Sequence, residues 1–247
     1  MFFLSYHWIR RAFYGEEAVR LSGCIRFCFM AICPGKNERE SDVSDKTPLD
    51  FWNERFEKEG YVFGTSPNAF LVSQAHRFAP GQKVLCVADG EGRNGVYLAG
   101  LGADVLSIDF SPVALEKARR LADERGVRIE TREVDLYTYD WPENAFDMVA
   151  AIFIQFAPPE QRSRIFEGMK KCLRPGGQLV LQGYRPEQLE YKTGGPPVAE
   201  NMYTAAMLRE AFADMEILHL REHDSVIEEG PGHAGMSALV DMVARKR

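Results

Sequence analysis

Residues 84–95 read Val-Leu-Cys-Val-Ala-Asp-Gly-Glu-Gly-Arg-Asn-Gly: an apolar run breaks into glycines beside two carboxylates, Asp89 and Glu91, and one guanidinium, Arg93. A strand that ends in a glycine turn and restarts as a helix makes a ligand site. The glycines Gly90 and Gly92 let a ligand approach the backbone, and the helix N-terminus behind them offers free N–H groups and partial positive charge. A second apolar run, 104–110, ends in Asp109 and Phe110. A carboxylate at that strand end can accept hydrogen bonds from both hydroxyls of an adenosine ribose. Asp135 and Leu136 follow a third run and are placed to meet an adenine edge. Phe153, near the end of a fourth run, packs either on the same ligand or within the sheet core.

The choice of adenosine ligand turns on charge. Gly90, Gly92 and Gly95 satisfy the dinucleotide fingerprint G-x-G-x-x-G, so a nicotinamide-dinucleotide oxidoreductase is one reading. Asp89 and Glu91 would then lie where a pyrophosphate must sit and would repel it. S-adenosylmethionine (SAM) instead brings an ammonium and a sulfonium, which carboxylates favour, and its single carboxylate can use the helix N-terminus or Arg93.

Alternating strand and helix patterns must hold these residues. Strands are expected at 83–88, 104–110, 127–134, 146–156 and 178–184. Helices are expected at 92–101, 112–125, 158–172 and 204–213. Ser111 is a good N-cap, Pro112 suits a first helical position, and Gly126 stops the second of these helices. Two long strands, 215–229 and 238–246, flank Gly230-Pro231-Gly232 and must pair antiparallel. The pattern predicts an α/β fold: a doubly wound, mostly parallel seven-stranded sheet ending in an antiparallel strand pair.

The 247 residues are 45% hydrophobic and 27% charged, with a net charge of −6. That composition excludes a collagenous or low-complexity chain. The negative balance argues against nucleic-acid binding. No apolar run reaches the roughly 18–20 residues that span a bilayer, so no membrane segment is expected. Five cysteines are too few for a disulfide framework, which points to a reducing, cytoplasmic setting. Cys24, Cys28 and Cys33 have the spacing C-x3-C-x4-C, which matches no usual zinc or iron–sulfur pattern, so no metal is expected. Residues 1–46, aromatic-rich and then polar, are expected to be a poorly packed, dispensable extension and linker. Residues 47–247 are expected to fold alone.

These segments resemble the seven-stranded, class I SAM-dependent methyltransferases, most closely the branch of tellurite-resistance and thiopurine S-methyltransferase-like proteins. The resemblance covers about 51–246. It is carried by Phe51-Trp52-Asn53, by Tyr61 through Pro67, by Glu91-Gly92-Arg93-Asn94 and by Leu173 through Gly177. Thr193 through Pro197 and the C-terminal stretch from Glu229 to Lys246 complete it. The family motif is V-L-D-x-G-x-G-x-G; here Cys86 stands for the acid and Ala88 for the first glycine. The family implies an acidic contact to the methionine amino group, and Asp89 is the nearest substitute. Cys86 reads as a buried small hydrophobe.

The resemblance implies methyl transfer to a small-molecule acceptor. The leaving group is a neutral thioether that needs no acid, so positioning is the main task. A thiol, selenium or tellurium nucleophile needs little activation, whereas an amine or hydroxyl needs a base. Tyr184 and Arg185, after the fifth strand, and His233, in a glycine-rich turn, are the candidate catalytic residues, with Arg185 a candidate holder of an anionic acceptor. Tyr61 and Phe63 are candidate lid residues. The acceptor pocket is expected between 52–67 and 185–201. A catalytically silent SAM-binding regulatory subunit remains a further alternative, and the oligomeric state is left open.

Overall fold

A computed structural model, describing residues 47–247, places the apolar runs side by side in one seven-stranded sheet. The strands are β1 (Lys83–Val87), β2 (Asp104–Asp109), β3 (Glu130–Glu133), β4 (Phe146–Ile152), β5 (Leu173–Tyr184), β6 (Glu216–Glu228) and β7 (Ala234–Arg245). Their order is β3-β2-β1-β4-β5-β7-β6. The first five run parallel, and β7 pairs antiparallel with both β5 and β6. The chain reverses direction across the sheet between β1 and β4, the switch point at which open α/β sheets bind ligands. The extension expected over residues 1–46, with Cys24, Cys28 and Cys33, lies outside the described residues.

Both faces of the central strands are covered, so these strands are apolar almost throughout. Side chains alternate between the faces. Leu85, Val87, Leu106 and Ile108 join one core, with α5 (Pro159–Cys172) and α6 (Ala205–Ala211). Val84, Cys86, Val105 and Met148 join the other, with α2 (Ala69–Ser73) and α3 (Arg93–Gly100). Cys86 is a buried hydrophobe, its thiol pushed well up by burial. α4 (Pro112–Glu124) begins as its sequence predicts: the Ser111 hydroxyl accepts from Ala114 N, and Pro112 occupies the first turn. That hydroxyl also donates to Asn53 Oδ1 at 2.6 Å, tying α1 (Pro48–Phe56) to the start of α4.

Four strand limits differ by more than one residue from the sequence expectation, each for a local reason. β3 does not include Val127, whose N–H closes the end of α4 on Ala122 O after Gly126 takes φ 67°. β4 stops at Ile152 because Phe153 takes φ 56° and turns the chain out of the sheet. β5 starts at Leu173, since Leu173 pairs with Phe146 and the stretch through Gly176-Gly177 is absorbed as an irregularity in the ladder. β7 starts at Ala234, which pairs with Glu228.

Gly92 begins α3 with φ 84°, and a Cβ there would lie 2.6 Å from Ala118 Cβ of α4. A left-handed alanine costs roughly 1–2 kcal/mol, and overpacking roughly 1–3 more. Gly92→Ala should therefore destabilise the domain by about 3 kcal/mol. The urea midpoint should fall with an unchanged slope.

Candidate functional site

The C-terminal ends of β1 to β4 open into a cavity of about 1070 Å³, at the upper end of the ~300–1,000 Å³ typical of small-molecule sites. Its floor is the turn after β1. Ala88, where the family motif has glycine, takes φ 47°, and Gly90 takes φ 57°. Asp109 Oδ2 accepts from Gly90 N at 2.9 Å and its Oδ1 from Ser111 N at 2.9 Å. The carboxylate is thereby aimed along the cavity with lone pairs to spare. Burial raises its pKa to about 6 against those hydrogen bonds. Asp89 lies beside it, also lining the cavity. Its Oδ2 accepts from Ser107 Oγ at 2.8 Å and from Gly95 N at 3.1 Å. Burial raises Asp89 to about 7. Neighbouring backbone packs so closely that a Cβ on Gly95 would lie 2.5 Å from this carboxylate.

Charges that the sequence left free are paired. Glu91 accepts from Lys117 Nζ at 3.0 Å and from Phe63 N at 3.2 Å. Lys117 also donates to the carbonyls of Lys58 and Gly60, so this ion pair pins the lead-in segment over the glycine turn. Arg93 forms a buried ion pair with Glu229 at 2.7 Å. Glu229 further accepts from Asn68 Nδ2 and Ala69 N, and Asn68 Nδ2 donates to Gln182 Oε1 at 2.6 Å. Arg93 still lines the cavity, but its charge is matched within the protein.

At the far end stand aromatic rings. Phe153 stacks on Tyr184 and on His233, with centroids 4.6 Å apart in both cases, and Phe63 tilts against His233 at 4.5 Å. Tyr184 Oη and His233 Nδ1 share a hydrogen bond of 2.5 Å. His233 is buried, and burial together with the positive charges of Arg93 and Arg55 lowers its pKa to about 3, so the ring is neutral at ordinary pH. Gln155 holds Tyr184 in place by bonding both its N–H and its carbonyl.

Most residues proposed from the sequence converge on this one cavity. Asp89, Gly90, Glu91, Arg93, Asp109, Phe110, Asp135, Leu136 and Phe153 line it, as do Tyr184 and His233. Phe63 and residues Gly194 to Pro197 close it from the two expected sides. Three expectations are corrected. Gly92 does not line the cavity; its missing side chain is required by the helix contact with Ala118. Arg185 does not face the cavity either, because it pairs with Asp224 and Glu187. Tyr61 is not a lid residue: it packs beside Val96 and Leu121, with its hydroxyl directed at Lys117 O. Sequence reasoning missed Arg55, Gln155, Asn68 and Glu229. Gln155 carried a signal, being, with Asp147, one of two polar residues inside the apolar run 146–156. The others become neighbours of the site only through chain reversal.

Among the described residues there is no cluster of three or more His, Cys, Asp or Glu suited to a metal ion. Among the same residues no helix is long and apolar enough to cross a membrane.

Residues 84–177 match the family described as methyltransferase domain. The chain is 35% identical over 109 residues to a phosphatidylethanolamine N-methyltransferase of Cereibacter sphaeroides, covering 43% of this chain and 53% of that protein. It is 29% identical over 115 residues to an uncharacterised protein of Mycobacterium tuberculosis, covering 46% of this chain and 41% of that one. The chain thus spans about two fifths to one half of the length of these curated relatives. The fold is similar to that of TehB from Haemophilus influenzae, with a TM-score of 0.60 at 22% identity over 81% of this chain and 67% of that one. The fold is the Rossmann-like methyltransferase fold, and the stretch 84–177 within it matches a methyltransferase domain.

The Arg93–Glu229 pair supports a stability prediction. Removing one partner of a buried pair leaves an uncompensated charge, at a cost of roughly 3–5 kcal/mol. Glu229→Ala should lower unfolding free energy by about 3 kcal/mol in urea titration. Glu229→Ala combined with Arg93→Met should recover part of that loss.

Proposed function

We propose that this methyltransferase-domain chain transfers a methyl group from SAM to a small-molecule acceptor, and that the acceptor is a soft nucleophile such as a thiol or a selenium or tellurium oxyanion. The observation that carries the cofactor half is Asp109, held by two backbone N–H groups with its free lone pairs in the cavity. Asp109 is assigned to the ribose hydroxyls, Asp135 and Leu136 to the adenine edge, and Asp89 with the backbone of Gly90 to the methionine ammonium. These residues fit SAM, because its cationic groups meet acids and no pyrophosphate has to be accommodated. Bound SAM supplies an electrophilic methyl on sulfur and a neutral thioether leaving group.

The acceptor half rests on His233. Taking a proton from an amine or hydroxyl calls for a base whose pKa lies near the working pH, and His233 is held near 3. Tyr184 is pushed up by burial, out of reach as a phenolate. The stacked rings of Phe63, Phe153 and His233 instead exclude water and orient an acceptor that already attacks without help, the regime in which positioning supplies roughly 7–11 kcal/mol. The likeness to tellurite-resistance and thiopurine-methylating proteins supports the same choice. The domain is read as residues 47–247, acting on small molecules in the cytoplasm.

The test begins with calorimetry. SAM should bind the chain and NAD should not; the reverse would overturn the reading in favour of an oxidoreductase. Asp109→Ala should weaken SAM by at least about tenfold, since charge-assisted hydrogen bonds are worth roughly 1.5–3 kcal/mol each. Incubation with labelled SAM and a panel of thiols, selenite, tellurite and small amines then identifies the acceptor. SAM binding without any turnover would favour the silent regulatory subunit.

The raised carboxylates add a pH signature. Asp89 at about 7 and Asp109 at about 6 take up protons on folding. The unliganded protein should therefore lose stability from these two groups as pH rises from about 4 to about 7. SAM needs them ionised, so its affinity should rise by about tenfold or more between pH 5.5 and 7.5. In Asp109→Ala the slope should be shallower.

A further inference from the structure

Among the described residues two arginines line the cavity, and they are in opposite states. Arg93 is neutralised by Glu229. Arg55, on α1, makes no ion pair among the described residues, and its buried Nε has no hydrogen-bond partner. Its guanidinium instead lies over two aromatic rings, 5.5 Å from the Trp52 centroid and 5.2 Å from that of Phe63. The acid that acts on it most, Glu91, already serves Lys117 and Phe63 N. Stacking on aromatic faces holds the planar fork in place and leaves its N–H edge to bind an oxyanion. A buried donor with no partner is costly and marks a place where a partner belongs.

We infer that Arg55 is the anion-binding residue of this cavity, taking a carboxylate or other oxyanion between the Phe63–His233 wall and the glycine turn. The role first assigned from the sequence to Arg185 thereby passes to a residue on α1. The inference rests on the cofactor reading above, because the anion has two sources: the methionine carboxylate of SAM, or an acidic group on the acceptor. A carboxylate bound here also removes the partnerless state of a cation that burial disfavours, since Arg55 has its pKa lowered by desolvation.

The experiment compares ligands that differ by one anion. S-adenosylhomocysteine (SAH) is set against 5′-methylthioadenosine, which lacks the amino-acid end. Benzoate is set against its neutral counterpart benzamide, in protein with and without SAH. Arg55→Ala and Arg55→Lys are measured beside the wild type, with melting curves as a folding control. If the cofactor supplies the anion, Arg55→Ala weakens SAH by about tenfold or more and leaves methylthioadenosine unchanged. If the acceptor supplies it, SAH binding is unchanged and the preference for benzoate, about tenfold in the wild type, disappears. Arg55→Lys retains part of either effect. The inference is overturned if Arg55→Ala changes neither comparison, or if it weakens all four ligands alike, which is the mark of a merely structural arginine. Wild-type protein that binds neither nucleoside would refute the cofactor reading instead, and the benzoate comparison without SAH would still decide the role of Arg55.

Discussion

One buried ion pair joins the parts of the molecule that make the site. Arg93 starts α3 directly behind the glycine turn, and Glu229 follows β6 far along the chain. Around them Asn68 donates to Glu229 and Gln182, and Ser66 O accepts from Arg93. Replacing such a pair by apolar residues often costs little, so its value lies less in net stability than in geometry. With the charges out of water, few other arrangements satisfy them. The lead-in segment, the glycine turn after β1 and the 230–233 turn are thereby held to one mutual position. Gly232 N donates to Val62 O at 2.9 Å, and Gly230 and Gly64 meet backbone to backbone, which seats Phe63 tilted against His233.

Strain is placed at the two strand ends that bound the cavity. Ala88 after β1 and Phe153 after β4 both have positive φ, which costs roughly 1–2 kcal/mol each for a residue with a side chain. Phe153 is held there by its N–H on Gln182 O at 2.8 Å and by stacking on the hydrogen-bonded rings of Tyr184 and His233. A relaxed Phe153 would continue β4 and leave the end of the cavity without its aromatic floor. The same packing that keeps Phe153 in place desolvates His233, and desolvation is the largest cause of its low pKa. Backbone strain, ring stacking and the neutral state of the imidazole are thus consequences of one arrangement.

The cavity is electrically divided. Asp89, Asp109 and Asp135 lie along the strand ends, while Arg55 lies on the helix that closes the opposite side. A ligand with cationic groups near one end and an oxyanion toward the other matches this division. Glu91 and Arg93 also line the cavity, but their pairs with Lys117 and Glu229 add no net charge to it.

How much of this the sequence determined by itself follows from the range over which each signal acts. Strand, glycine turn and helix at 83–101, the Ser111-Pro112 cap and the acids at 89, 109 and 135 are local patterns, written within a few residues of where they act. They sufficed for the parallel sheet and for the acidic, strand-end side of the cavity. Strand limits at Val127, Phe153 and Leu173 escaped because they depend on a helix end, a left-handed residue and a ladder irregularity. The other side of the cavity was decided only by tertiary structure. Arg185 and Arg55 are alike in sequence terms, each a basic residue near an expected pocket. Asp224 and Glu187 take up the first, and no acid among the described residues takes up the second. Asn68 and Glu229 lie 161 positions apart. Pairings at such separations depend on which surfaces chain reversal brings together, and no local pattern records them.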